Sequence, residues 1–262
     1  MATERLTARN SRGERLAGIL HLPAGDGRRP LIVSCPGLMS SKDGTKHVAL
    51  GAAAEARGLA LLRLDYSGIG ESEGEFAASV MTQRVEDAGA LLHAALRRLP
   101  ATPAVAFAGS SFGAPVALLC AARECQRTAP RVAAVVTWAA TCDFAAVLAG
   151  SEPRHLAALR RGETVRRAEE GRTYVITPAF LDDFATYRFA DCLAALGGVA
   201  TLFAHGKRDD VVPYAQSEQL HAWARGLKRL VLFEEGSHGL HEVLPALLDL
   251  TLEWCCKAFA RA

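Results

Sequence analysis

The chain has 262 residues, half of them apolar, which is enough for one sizeable core in one large domain or two small ones. Thirty Lys and Arg against 28 Asp and Glu leave a formal charge of +2, so no strong field invites nucleic acid or a membrane surface. No run of about 18 apolar residues exists to span a bilayer, and the polar opening MATERLTARNSRGERL lacks the apolar stretch of a secretory signal.

In chain order, GERLAGILHLPAG reads as an antiparallel edge pair, ended by Pro23 and Gly25. Short apolar runs follow at 31–35, 59–64, 104–108, 132–138, 200–204 and 228–233. Most are apolar without alternation, as in a parallel sheet covered on both faces. Longer segments of helical period lie between them. In 79–99, Val85, Ala88, Leu92, Ala95 and Leu99 recur at three- and four-residue steps, and Pro100 stops the run. This alternation predicts βαβ units with right-handed crossovers in a single α/β domain over 1–262.

One interval breaks the rhythm. About 60 residues separate Trp138 from Ala200, more than a simple crossover needs. The interval holds a charged stretch, SEPRHLAALRRGETVRRAEEGR, and an aromatic one, TYVITPAFLDDFATYRF. Residues 143–190 are expected to form a cap insertion over the C-terminal edge of the sheet, where ligands of open α/β folds sit. The plainer reading is a surface excursion without a binding role. Of the 14 Phe and Tyr residues, Phe144, Tyr174, Phe180, Phe184, Tyr187 and Phe189 fall in or beside it. They line an apolar pocket, pack the insertion onto the body, or do both. Its arginines, set against Glu152, Glu163, Glu169 and Glu170, read as a solvated face, with a rim that attracts acidic substrates as the lesser alternative.

The seven cysteines are scattered without a C-x-x-C pair. Zinc and thioredoxin-like readings therefore lack their spacing, and free thiols in a reducing cytosol are expected. Asp65 with Gly68 and Gly70 has neither the Lys-Ser/Thr continuation nor the G-x-G-x-x-G form of a phosphate loop, so it reads as a turn near the site rim.

Gly109-Ser110-Ser111-Phe112-Gly113 fits G-x-S-x-G between an apolar strand and the helical pattern APVALLCAAREC. A sharp strand-to-helix turn needs small flanking residues and projects the central hydroxyl beyond the sheet edge, which points to Ser111, with Ser110 in support. The pentapeptide is only moderately specific. A serine hydroxyl is a weak nucleophile and needs a base held by a third group. TLFAHGKRDDVVP supplies Asp209 after one strand and LVLFEEGSHGLHE supplies His238 after the next. Asp210 and His241 compete with them; spacing favours Asp209, and the His238/His241 pair has no evident third metal ligand. His205 reads as a packed histidine in a strand-end turn.

With PGLMSSK at 36–42, LDYSGIGESEG at 64–74, GSSFG at 109–113, HGKRDDVVP at 205–213 and EGSHG at 235–239, the chain resembles the α/β-hydrolases over nearly its full length. The resemblance is to small serine esterases related to cinnamoyl and feruloyl esterases. It implies Ser111 as nucleophile, Asp209 as orienting acid and His238 as general base. It also implies an oxyanion hole from the backbone N–H groups of Phe112 and Leu38. Relatives often begin the latter loop with His-Gly, whereas this chain has Pro36-Gly37, which leaves the Leu38 amide free to donate. Tyr66, Phe144, Phe180 and Phe184 are the expected substrate contacts, although a structural role for Tyr66 fits equally.

The expected activity is hydrolysis of small to medium carboxylic esters through an acyl-enzyme, with no metal or cofactor. Thioesterase, peptidase and acyltransferase activities share the same machinery. A catalytically silent binding protein would typically have lost one of the three residues. The expected partner is a small-molecule ester in the cytoplasm, with a homodimer left open.

Overall fold

The computed structural model describes residues 2–24, 28–127, 131–169 and 171–262. Its strands are β1 (Ala2–Arg9), β2 (Arg15–Leu22), β3 (Leu31–Cys35), β4 (Ala60–Leu64), β5 (Ala104–Ser110), β6 (Arg131–Trp138), β7 (Val165–Glu169), β8 (Arg172–Ile176), β9 (Ala200–Gly206) and β10 (Lys228–Phe233). Its helices are α1 (Thr45–Ala56), α2 (Met81–Arg98), α3 (Gly113–Glu124), α4 (Phe144–Ser151), α5 (Pro153–Arg160), α6 (Ala179–Ala185), α7 (Phe189–Ala195), α8 (Ala215–Trp223) and α9 (Leu244–Phe259).

The main sheet has the order β1-β2-β4-β3-β5-β6-β9-β10. β1 and β2 are antiparallel to their neighbours, and every later pairing in that sheet is parallel. β3, β4, β5 and β9 are buried at every position, which explains their largely apolar runs. Successive side chains feed opposite faces. Val33, Val105 and Phe107 join one core with residues of α2 and α3; Ile32, Ala104 and Ala106 join the other with residues of α1 and α9. Among the described residues no helix is long and apolar enough to cross a membrane.

The N-terminal expectation needs correction. Among the described residues 13–24 the stretch does not pair with itself; β2 pairs along its whole length with β1, from Ala2↔Leu22 to Arg9↔Arg15. The reversal lies earlier, at Asn10 to Gly13, where the Gly13 N–H donates to the Asn10 carbonyl and Gly13 takes φ 79. β1 has a polar sequence, yet Glu4, Leu6 and Ala8 are half-buried in alternation with exposed neighbours, a period-2 signal. Gly25 lies outside the described residues.

Between β6 and β9 the chain forms α4, α5, the β7-β8 hairpin, α6 and α7. The Asp143 carboxylate accepts the Ala146 N–H and caps α4. Pro153 opens α5, where its missing N–H costs no helical bond. An aromatic chain joins this insertion to the body. Phe112 packs on Phe144 at 5.2 Å and Phe184 at 5.6 Å, Phe184 packs on Phe189 at 5.5 Å, and Phe76 packs on Phe180 at 5.5 Å. Ring pairs at these separations contribute beyond their buried area.

Candidate active site

Ser111 stands at the end of β5 with φ 54, a left-handed conformation costly for a residue bearing a Cβ. Its N–H donates to the Trp138 carbonyl at 2.8 Å and its carbonyl accepts the Ala114 N–H at 3.0 Å. The flanking glycines are needed for space. A Cβ on Gly109 would lie 2.2 Å from the Gly113 carbonyl oxygen, and one on Gly113 would lie 2.2 Å from those of Cys35 and Pro36. The turn therefore brings β5, α3 and the loop after β3 together around the serine.

His238 and Asp209 converge on it from the loops after β10 and β9. His238 Nε2 lies 3.0 Å from Ser111 Oγ, and His238 Nδ1 lies 2.8 Å from Asp209 Oδ2. The geometry fits Nδ1–H donating to the carboxylate while Nε2 accepts from the serine hydroxyl. The Asp209 side chain is fully buried. Its Oδ1 accepts the N–H groups of Val211 at 2.9 Å and Val212 at 2.8 Å. Burial opposes its ionisation, but the bonds from His205, His238 and the Val212 amide outweigh this and hold it well below the usual carboxylate range.

His205 explains how Asp209 is held. Its Nε2 faces Asp209 Oδ2 at 3.0 Å and the Val212 carbonyl at 2.9 Å, two acceptors that require a proton on that nitrogen. Its Nδ1 is then free to accept from Ser217 Oγ at 2.7 Å. Asp210 is exposed, and His241 opens a 3-10 turn at the mouth of the site.

A cavity of about 460 Å³ opens beside Ser111, His238 and Phe112, with Leu38 and Met39 on one wall and Phe144, Val147 and Leu148 on another. Of the expected substrate contacts, only Phe144 is among the residues that line it. Tyr66, Phe180 and Phe184 are corrected: they belong to the buried core. Tyr66 lies under the Arg84 guanidinium, 4.9 Å from its ring centroid, while Phe180 and Phe184 pack the insertion against Phe76 and Phe112. The packing share of the aromatic cluster is the larger one.

The loop carrying Leu38 is anchored on both sides. On one side Asp65 accepts the Lys42 N–H at 2.7 Å and the Glu71 N–H at 3.0 Å, and the Lys42 ammonium lies 3.2 Å from the same carboxylate. On the other, buried Arg84 donates to the carbonyls of Ser79 at 2.8 Å, Gly37 at 3.3 Å and Leu38 at 2.7 Å. Burial pulls the Arg84 pKa down, yet guanidinium remains a cation at neutral pH.

Two site residues escaped the sequence reading: Arg84 and Lys46. The Lys46 side chain lines the cavity, and its Nζ donates to Ser110 Oγ at 2.9 Å. Both serines of the motif thus face a basic group. Ser110, however, is only 3% exposed at the end of β5, whereas Ser111 is partly open to the cavity. Among the described residues, no group of three or more His, Cys, Asp or Glu side chains is placed to hold a metal ion.

A mostly parallel eight-stranded sheet with helices on both faces and a serine on its strand-to-helix turn defines an α/β-hydrolase. The family profile described as serine aminopeptidase, S33, matches residues 26–174, and the chain belongs to that hydrolase family. Three solved structures share the fold. Est1E from Butyrivibrio proteoclasticus, with ferulic acid bound, superposes with a TM-score of 0.82 at 20% identity, covering 97% of this chain and 99% of that one. The alpha/beta hydrolase domain-containing protein 10 from mouse has a TM-score of 0.72 at 20% identity, covering 95% and 98%. The esterase domain of a Rhodothermus marinus protein has a TM-score of 0.68 at 24% identity, covering 97% and 98%. Among curated sequences, the uncharacterized protein YfhR of Escherichia coli strain K12 is 36% identical over 53 residues, 20% of this chain and 19% of that protein.

Proposed function

We propose that the protein is a serine hydrolase that cleaves carboxylic esters of small to medium acyl or aryl groups. The observation that carries this reading is the continuous relay from Ser111 through His238 to Asp209, at 3.0 and 2.8 Å, opening on a cavity. Ser111 attacks the ester carbonyl as His238 takes its proton. Buried Asp209 keeps the imidazole in the tautomer that accepts that proton, then stabilises the imidazolium. The amides of Phe112 and Leu38 receive the oxyanion, and His238 returns the proton to the leaving alcohol. Water, deprotonated by His238, then releases the acid. No cofactor enters this chemistry.

Ser111 is favoured over Ser110 because it combines the strained elbow conformation with access to the cavity and to His238. In this reading the insertion acts as a cap, since Phe144, Val147, Leu148 and Glu152 contribute to the cavity wall. The seven free cysteines suit a reducing compartment and a cytoplasmic location. Burial pushes the Cys35 and Cys192 thiols up to about 12, so neither competes as a nucleophile.

The family description favours one second reading, an aminopeptidase on the same three residues. Such an enzyme must hold a substrate ammonium near the scissile bond, and Lys46 places a like charge in that cavity. The test is hydrolysis of p-nitrophenyl esters from acetate to decanoate beside aminoacyl p-nitroanilides, with wild type and Ser111→Ala. Ester turnover lost in the variant supports the ester reading. Turnover of anilides alone moves it to the peptidase. Absence of all turnover and of fluorophosphonate labelling in folded protein sinks both.

A further inference from the structure

Lys46 is the second residue of α1 and reaches the cavity with its charged end. An ammonium has three N–H donors. One is used by Ser110 Oγ, and among the described residues no carboxylate lies within ion-pair distance of Nζ. The other charges of the cavity are paired or face solvent. Arg167 pairs with Glu152 at 2.9 Å, Glu152 also bonds His155, and Glu169 is exposed on β7. Asp209, the acidic group that Lys46 senses, is committed to His205, His238 and two backbone amides. The cavity floor beside the serine pair therefore carries one positive charge with donors to spare.

A half-buried cation without a counter-ion is costly unless something in the site completes it. Ser110 and Ser111 are adjacent, so Nζ lies at most about 11–12 Å from the Ser111 hydroxyl by backbone geometry. Even at that limit, an anion on Nζ and an ester carbonyl held at Ser111 fit within one small molecule, with no more than about four carbons between them. We infer that Lys46 is a specificity-determining residue that binds a carboxylate of the substrate, so that the preferred esters carry an anionic group about two to four carbons from the scissile carbonyl. This rests on the ester reading above. The lowered basicity of Lys46, brought to about 8 by burial against the attraction of Asp209, agrees with a desolvated ammonium poised in a site.

The experiment compares kcat/KM for p-nitrophenyl hemisuccinate and hemiglutarate with the uncharged butyrate and valerate esters, in wild type, Lys46→Met and Lys46→Arg. A second pair, 4-carboxyphenyl and phenyl butyrate, places the charge on the alcohol side instead. One charge-assisted bond predicts a preference of roughly 10- to 100-fold for the charged member of at least one pair. Lys46→Met should bring that ratio to about one or below, and Lys46→Arg should keep most of it. Using the ratio removes any loss common to both members. If Lys46 only steadies Ser110, both members slow together and the ratio stays put, which overturns the inference, as does a wild-type preference for the neutral members of both pairs. Glutarate binding by calorimetry separates this from failure of the ester reading. With no ester turned over, glutarate bound by wild type and not by Lys46→Met still supports the anion site, and glutarate bound by neither overturns it.

Discussion

The guanidinium of Arg84 donates to the carbonyl of Leu38 at 2.7 Å, and the same group lies 5.2 Å from the ring centroid of Phe112. One buried cation therefore touches both residues whose amides are proposed to form the oxyanion hole. Arg84 also donates to the Gly37 carbonyl at 3.3 Å, which shares its peptide plane with the Leu38 N–H, so Arg84 sets how that amide is turned in the loop after β3. It is a positioning residue in this account. Arg84→Met should lower kcat about tenfold or more while KM moves little, because the loop's donors act chiefly on the transition state. It also leaves buried carbonyls without a donor, at about 1–3 kcal/mol each. Arg84→Lys keeps the charge but not the three-carbonyl bridge, so it should recover stability more than kcat. A variant that melts early yet retains kcat would reduce Arg84 to packing.

Asp209 should contribute to stability in a pH-dependent way. Its folded pKa is depressed below the unfolded value of about 3.9, so its contribution is fully present above that value. The contribution is lost as pH falls through the unfolded value toward the folded one. The stability gap between wild type and Asp209→Asn should be widest near pH 6 to 7 and narrow toward pH 3. Asparagine also turns an N–H toward the His205 and His238 donors. Turnover should fall by about 10⁴-fold, the scale known when a triad carboxylate is amidated. Denaturant melts across that pH range test the first claim; a gap that stays constant would remove the carboxylate from the acid limb.

Much of this fold was legible because the signals are local. The buried strands are largely apolar runs, and Ser111, Asp209 and His238 each sit in a short motif at a strand end. β1 was missed because its half-buried face is carried by Glu4, Leu6 and Ala8, an alternation easily lost in a polar segment. Lys46 and Arg84 were missed for a different reason. Their partners, Ser110 and Leu38, lie 64 and 46 residues away, and only the folded sheet brings them together. Aromatic composition drew attention to the insertion, yet composition could not separate a ring that lines a cavity from one that holds two layers together.

Phe180 and Phe144 should therefore separate stability from specificity. Phe180 is fully buried between Phe76 and Phe112, so Phe180→Ala should cost about 3–5 kcal/mol of stability. The chain length that gives the highest kcat/KM should stay the same. Phe144 lines the cavity, so Phe144→Ala should shift the optimum toward longer or bulkier acyl groups. A chain-length profile for both variants beside their melting curves decides the matter. An optimum that moves for Phe180→Ala and not for Phe144→Ala would reverse the assignment.

The charge preference attributed to Lys46 should itself depend on pH. Burial brings its pKa to about 8 despite the attraction of Asp209, so the ammonium dominates at pH 7 and the neutral amine at pH 9. The sign follows: the preference for a carboxylate-bearing ester is present below about 8 and lost above it. Between pH 7 and pH 9 the charged fraction falls about tenfold, and the hemiester-to-neutral ratio should follow it. The charged and titratable groups around Lys46 are Asp209 and His238 from the loops after β9 and β10, His47 on its own helix, and Glu152, Arg167, Glu169 and His241 along the cavity. A change that slows turnover of both esters alike cancels in the ratio. Repeating the titration with Lys46→Arg, whose guanidinium keeps its charge throughout, should flatten the curve. A ratio that falls equally in that variant would assign the titration to one of those neighbours instead of Lys46.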